Sequence, residues 1–158
     1  MANFFKATAK KQELGQEVSI KVTRLDINGC GVGLHNKKPI FIDGALPDEV
    51  VKVKVIEQKN KYSRGKLIDV SVANKRRVAA KCQHFLSCGG CDLQHLAIST
   101  QLDFKQQKVS DLFSRSNHEQ SLPWQAPIVS QPWHYRRKAR IGVQYNKAGQ
   151  AIIGFRQR

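Results

Sequence analysis

The sequence predicts a mainly β chain with one α-helix. A small oligonucleotide-binding-type β-barrel comes first, and an incomplete α+β domain built around cysteines follows. Three observations predict this. Between Gln16 and Val72, short runs of alternating apolar and polar residues recur with turn signals between them. From Ile98, apolar residues recur at steps of three and four, the period of a helix face. The stretch "KCQHFLSCGGCDLQH" (81–95) holds three of the chain's four cysteines.

Residues 1–10 form a basic, unpatterned arm, and the barrel is expected over residues 11–70. "VSIKVTRLDI" (18–27) sets Val18, Ile20, Val22 and Leu25 near one face of a strand. "NGCGVG" (28–33) reads as a turn, because Asn-Gly is the commonest tight-hairpin signal. "PIFIDGALPDE" (39–49) is a short strand running into a Gly and Pro loop. "VVKVKVIEQ" (50–58) alternates cleanly, and "KNKYSRGKLIDVSV" (59–72) is a basic turn leading into a last strand. Short strands at this density suit a small closed barrel. Its outward cations Lys21, Arg24, Lys52, Lys54, Lys61, Arg64 and Lys66 suit an oligonucleotide.

Residues 71–80 are a basic connector, and residues 81–158 form the second domain. Its helix spans about 98–115: Ile98, Leu102, Lys105, Val109 and Leu112-Phe113 fall on one stripe, and Thr100 with Asp103 reads as a capping box. "NHEQSLPWQAP" (117–127) breaks the helix. A β-hairpin is expected over about 134–156, around the turn "NKAGQ", with no closing element after it.

Charge narrows the function. The chain has 27 Lys and Arg against 12 Asp and Glu, a net charge of +15 on 158 residues. That excess exceeds what solubility needs and points to a polyanion, most often nucleic acid. The first residues lack the apolar run and cleavage site of a secretory signal, and no apolar run is long enough to span a membrane. The expected compartment is the cytoplasm, where clustered thiols bind metal or do chemistry. Nothing calls for a protein partner, so a monomer is expected. "GCGVG" (29–33) lacks a following helix pattern and is no dinucleotide loop, and no Ser-His-Asp set or carboxylate pair stands out.

Cys82, Cys88 and Cys91 are the candidate metal ligands. The turn Cys88-Gly-Gly-Cys91 can present two thiolates to one ion and leave amide N–H groups free to point at sulfur. Zinc and iron–sulfur clusters both use such turns, and zinc, iron–sulfur and a redox thiol set all stay open on chemistry alone. A cluster tolerates a distant fourth cysteine better than zinc does. His84 and His95 read as packing or hydrogen-bonding residues, and Cys30 as a small turn residue without a role. "WHYRRKAR" (133–140) interleaves Trp133 and Tyr135 with Arg136, Arg137, Lys138 and Arg140, which suits single-stranded RNA: arginines grip phosphates and aromatics stack on bases. As a strand, it would set Arg136, Lys138 and Arg140 on one face and Arg137 on the other.

In this order, "RLDINGCGVGLHNKKPIFIDGALPDE", "CQHFLSCGGCDLQH" and "PWHYRRKARIGVQY...IGFR" resemble the N-terminal part of the bacterial 23S ribosomal RNA uracil-C5 methyltransferases of the RlmD type. The resemblance covers nearly the whole chain. It implies that the barrel is a TRAM domain, an RNA-binding module of oligonucleotide-binding fold. It implies a 4Fe-4S cluster on four cysteines, of which Cys82, Cys88 and Cys91 match. The family's fourth lies beyond the "GFR" strand, past Arg158, and Cys30 falls where the family has no ligand. Arg140 matches a family arginine that lies against the RNA near the reacting base.

The family reaction uses S-adenosylmethionine: a cysteine thiolate adds to C6 of an extruded uracil, C5 takes the methyl group, and a base removes the C5 proton. The resemblance places that machinery downstream, so the expectation is a truncated chain that binds 23S rRNA and lacks the methyltransferase domain. The family's helix packs on the catalytic domain, so the apolar stripe of residues 98–115 is expected to be exposed here. The alternative is a stand-alone RNA-binding module with a structural zinc or iron–sulfur site. A redox sensor using the cluster thiols is a third.

Overall fold

The computed structural model describes residues 14–117 and 122–157, so the expected arm at residues 1–10 lies outside it. The chain divides into two compact units, Met1–Asn74 and Lys75–Arg158.

The first unit is a closed five-stranded barrel, as its alternation predicts. Its strands are β1 (Glu17–Leu25), β2 (Gly31–His35), β3 (Lys38–Ile42), β4 (Val50–Gln58) and β5 (Ser63–Val72). They run in the order β1-β2-β3-β5-β4, and β4 pairs back onto β1, with Ile20 opposite Val51. All neighbours are antiparallel except β3 and β5. Period-2 alternation sends Ile20, Val22, Ile40, Ile42, Val51, Val53 and Val55 inward to one aliphatic core. A register shift between Val22 and Arg24, where the Thr23 hydroxyl donates to the Val32 carbonyl at 3.0 Å, bends β1 and helps the sheet close. The buried Glu49 carboxylate accepts the N–H groups of Leu46 (2.8 Å) and Asn74 (3.1 Å), so it ties the end of the barrel to the β3–β4 loop without an orphaned charge.

The tight hairpin is not at Asn28-Gly29. Asp26 organises a longer loop there, and its carboxylate accepts from the N–H groups of Asn28 (2.9 Å) and Cys30 (2.8 Å). The two-residue turn is Asn36-Lys37, flanked by the pair His35 and Lys38, with φ of 50° and 63°. Positive φ at both central positions is the twist that matches flanking strands, and Asn adopts it readily.

The second unit has little core. Phe85, His95 and Leu96 are its buried side chains among the described residues. Residues 76–78 pair with 95–97: Ala97 N–H donates to the Arg76 carbonyl (3.0 Å) and Val78 N–H to the His95 carbonyl (2.9 Å). The basic stretch after the barrel is therefore built into this unit. The helix α1 (Ile98–Asn117) follows. It starts at Ile98, so Thr100 sits inside the first turn and does not cap it. The Gln101 side chain instead reaches back to the carbonyls of Leu93 (2.9 Å) and Leu96 (2.8 Å) and fixes the entry to the helix. Ile98, Val109, Leu112 and Phe113 are exposed, as the resemblance implied for the apolar stripe.

The hairpin is shorter than its sequence suggests: β6 (Gly142–Tyr145) pairs with β7 (Ala151–Gly154). Residues 133–141 are irregular, not a strand. The reason lies in the returning chain. To extend the ladder past Gly142, it would have to run on alongside residues 136–141. Instead the Arg156 carbonyl accepts from Gly89 N–H at 2.9 Å, and Gln157 pairs with Cys88. The return strand is diverted to the cysteine loop, which leaves the basic segment without a ladder partner.

Candidate RNA interface and cysteine loop

The barrel's expected cations are all exposed. Their electrostatics differ. Lys52 is held by Glu17 at 2.7 Å, an ion pair and hydrogen bond that holds the Glu17 carboxyl below its ordinary range and Lys52 above its own. Lys54 and Lys66 face each other directly across β4 and β5. Like charges set opposite one another are unfavourable in a bare sheet and favourable under a polyanion. Lys61 and Arg64 flank Tyr62 at the start of β5. Glu57 lies beside them, 3.1 Å from Lys59 and 3.9 Å from Arg64, and its hydrogen bond raises the Lys59 pKa.

Sequence reasoning missed an aromatic pair here. Phe41 and Tyr62 meet edge to face, with centroids 5.8 Å apart and an interplanar angle of 83°. The signal was available: Tyr62 lies between Lys61 and Arg64, the same interleaving that marks "WHYRRKAR".

In the second unit, Trp133, Tyr135, Arg136, Arg137, Lys138 and Arg140 are exposed. Lys81 lies over the Trp133 ring at 5.4 Å, and the Arg136 guanidinium over the Tyr135 ring at 5.7 Å, both within cation–π range. A groove of about 380 Å³ joins this segment to the cysteine loop, with Cys91, Asp92, Ile98, Lys105, Trp133, Tyr135 and Arg136 in its lining. Arg137, Lys138 and Arg140 do not line it. With irregular backbone in place of a strand, period-2 alternation does not order Arg136, Lys138 and Arg140.

The cysteine loop is held from both sides. The His84 carbonyl accepts Cys88 N–H at 2.8 Å, and Gly89 N–H donates to Arg156. Gly89 packs so closely that a Cβ there would meet the Arg156 carbonyl at 3.0 Å. Gly90 N–H points at the Cys88 sulfur at 3.4 Å, the contact that stabilises a thiolate. Cys82 is half-buried, and its N–H donates to the Gln94 side chain at 3.3 Å. No cysteine is in a disulfide. His95 is buried against Phe85, ring centroids 5.1 Å apart, while His84 is exposed. Cys30 donates its S–H to Asp43 at 2.9 Å in the barrel. Among the described residues, no three His, Cys, Asp or Glu side chains are gathered closely enough to hold one metal ion. The donors therefore fit a thiolate-bound cluster in kind, with an amide aimed at sulfur, but Cys82, Cys88 and Cys91 are not drawn together around one point.

The TRAM domain family matches residues 11–68, which cover the barrel as far as Ile68 in β5. A closed five-stranded barrel is consistent with that match. The whole chain is 58% identical to the 23S rRNA (uracil(1939)-C(5))-methyltransferase RlmD of Colwellia psychrerythraea. Over 99% of its length it is 42% identical to the RlmD of Shewanella sediminis and 40% identical to that of Shewanella woodyi. The match falls on the N-terminal part of these relatives, and the chain spans 36% of their length. Among the described residues, no helix is long and apolar enough to cross a membrane.

Proposed function

We propose that this chain is the RNA-binding N-terminal portion of an S-adenosylmethionine-dependent 23S rRNA uracil-C5 methyltransferase, working in the cytoplasm as a monomer. The observation that carries the reading is 58% identity extending through both units, barrel and cysteine loop alike. The TRAM barrel, with Lys61 and Arg64 exposed, grips phosphates. Tyr135, Arg136, Arg137, Lys138 and Arg140 form a second contact surface, and Tyr135 and Arg136 also line the groove of about 380 Å³ beside Cys91. Cys82, Cys88 and Cys91 would hold a 4Fe-4S cluster, with a fourth ligand from outside this chain. The Gly90 amide and the Arg156–Gln157 segment then brace the loop that carries two of the thiolates. Such a cluster would supply cross-linking for a unit that has little core.

Methyl transfer belongs to the remainder of the relatives' length. The 158 residues are expected to bind 23S rRNA and to transfer no methyl group from labelled S-adenosylmethionine. Turnover by this chain alone would overturn that division of labour, and failure to bind rRNA would overturn the whole reading.

A further inference from the structure

We propose that the outer face where β3 meets β5 is a stacking site for an unpaired RNA base, formed by Phe41 and Tyr62 and flanked by Lys61 and Arg64. The proposal rests on the reading of the barrel as an RNA binder, and it names the part of the barrel that tells single strands from duplex.

The placement of the aromatics argues for it. Phe41 and Tyr62 are the only Phe, Tyr or Trp side chains between residues 14 and 74. The barrel core uses neither: its buried hydrophobic side chains are aliphatic. In β3, Ile40 and Ile42 are fully buried and Phe41 between them points out, only half-buried. A barrel this small has no packing need for an aromatic pair on its outside. Yet residues more than twenty positions apart in sequence are brought into ring contact there by the one parallel pairing in the sheet.

The chemistry around the pair selects the occupant. That pairing sets Phe41 directly opposite Arg64, so the exposed guanidinium shares the outward face with the ring. Lys61 precedes Tyr62 and is exposed. The turn is fixed, because Lys59 N–H donates to the Tyr62 carbonyl at 2.8 Å and the Lys59 ammonium is held by Glu57. In an edge-to-face pair, the ring that offers its edge keeps both its faces clear of its partner. A π-face held on a fixed turn, with exposed cations as its chain and ladder neighbours, is what a single strand needs. A duplex cannot use it, because its bases are already stacked on one another.

The test uses the full chain and a short single-stranded oligouridylate. Ring-proton resonances of Phe41 and Tyr62 are expected to shift on titration with the single strand and to stay in place with an RNA duplex of equal length. Tyr62→Leu is expected to weaken single-strand binding roughly tenfold without changing its salt dependence, whereas Tyr62→Phe binds like the parent. Lys61→Ala is expected to reduce the salt slope by about one. Melting temperatures of the variants establish that the barrel is intact, and the ring shifts are read on the parent and need no variant. Immobile ring resonances while the chain still binds the oligomer would overturn the stacking site and leave the RNA reading standing. So would equal shifts with duplex, or a Tyr62→Phe loss as large as that of Tyr62→Leu. A parent chain that binds neither single strand nor rRNA would overturn both.

Discussion

The barrel and the cysteine unit both hold basic side chains out to solvent, but they do so with unequal means. The barrel closes around eight buried aliphatic residues, and each strand is paired on both sides. The cysteine unit buries Phe85, His95 and Leu96 among its described residues, and leaves residues 133–145 exposed. A core that small does not offset the conformational entropy of ordering so long a stretch. The difference teaches where each unit gets its stability. The barrel draws it from its own sequence. The cysteine unit has few buried side chains of its own to draw it from.

The largest effect is expected in the barrel. Ile42 is fully buried, and Ile42→Ala should cost about 2–5 kcal/mol, close to the whole stability of a small domain. Gly33→Ala should cost about 1–3 kcal/mol, because its methyl group would meet the Ile20 side chain and, at 2.7 Å, the Lys21 carbonyl, which cannot yield without moving β1. Urea unfolding read from barrel amide resonances checks both. The fluorescence of Trp133 in the other unit should keep its parent transition. If both probes shift together, the units are not energetically separate and the contrast fails.

A second expectation concerns the cysteine unit alone. Anaerobic preparation with iron and sulfide should load the chain, and amides of residues 82–96 should then exchange with solvent at least tenfold more slowly, with barrel amides unchanged. Cys88→Ser should abolish both the loading and the protection. One zinc per chain with no sulfide would replace the cluster with a structural zinc and sharpen the contrast differently.

How much of this was legible in the sequence follows the same divide. The barrel was readable because each strand reports its own buried face through alternation, as "VVKVKVIEQ" does over β4. The pairing of Phe41 with Tyr62 was not readable, because it depends on β3 and β5 meeting in parallel, a non-local contact that no local period announces. In the cysteine unit, local signals misled. Thr100 has the right residue three positions on for a cap, yet Gln101 takes over the helix entry through Leu93 and Leu96. "WHYRRKAR" alternates like a strand, but its partner is drawn away by the Cys88–Gln157 pairing. Where a core is large, pattern decides structure. Where it is small, single hydrogen bonds decide it, and these are not periodic.

The smallest expected effect tests how the two units present charge. Glu57 partly neutralises Lys59 and Arg64 on the barrel. No carboxylate among the described residues pairs with Arg136, Arg137, Lys138 or Arg140 in the other unit. Lys59 and Arg64 thus sit beside a competitor that RNA must displace, while Arg136, Arg137, Lys138 and Arg140 face no such carboxylate among the described residues. Glu57→Gln keeps the shape and removes the competitor. It should tighten single-strand binding about two- to threefold and steepen the salt dependence by up to about one released counterion. Surface ion pairs contribute little to folding, so the melting temperature should stay near that of the parent. Unchanged affinity would place Lys59 and Arg64 outside the phosphate path. The barrel's grip would then rest on Lys61 and on the facing pair Lys54 and Lys66.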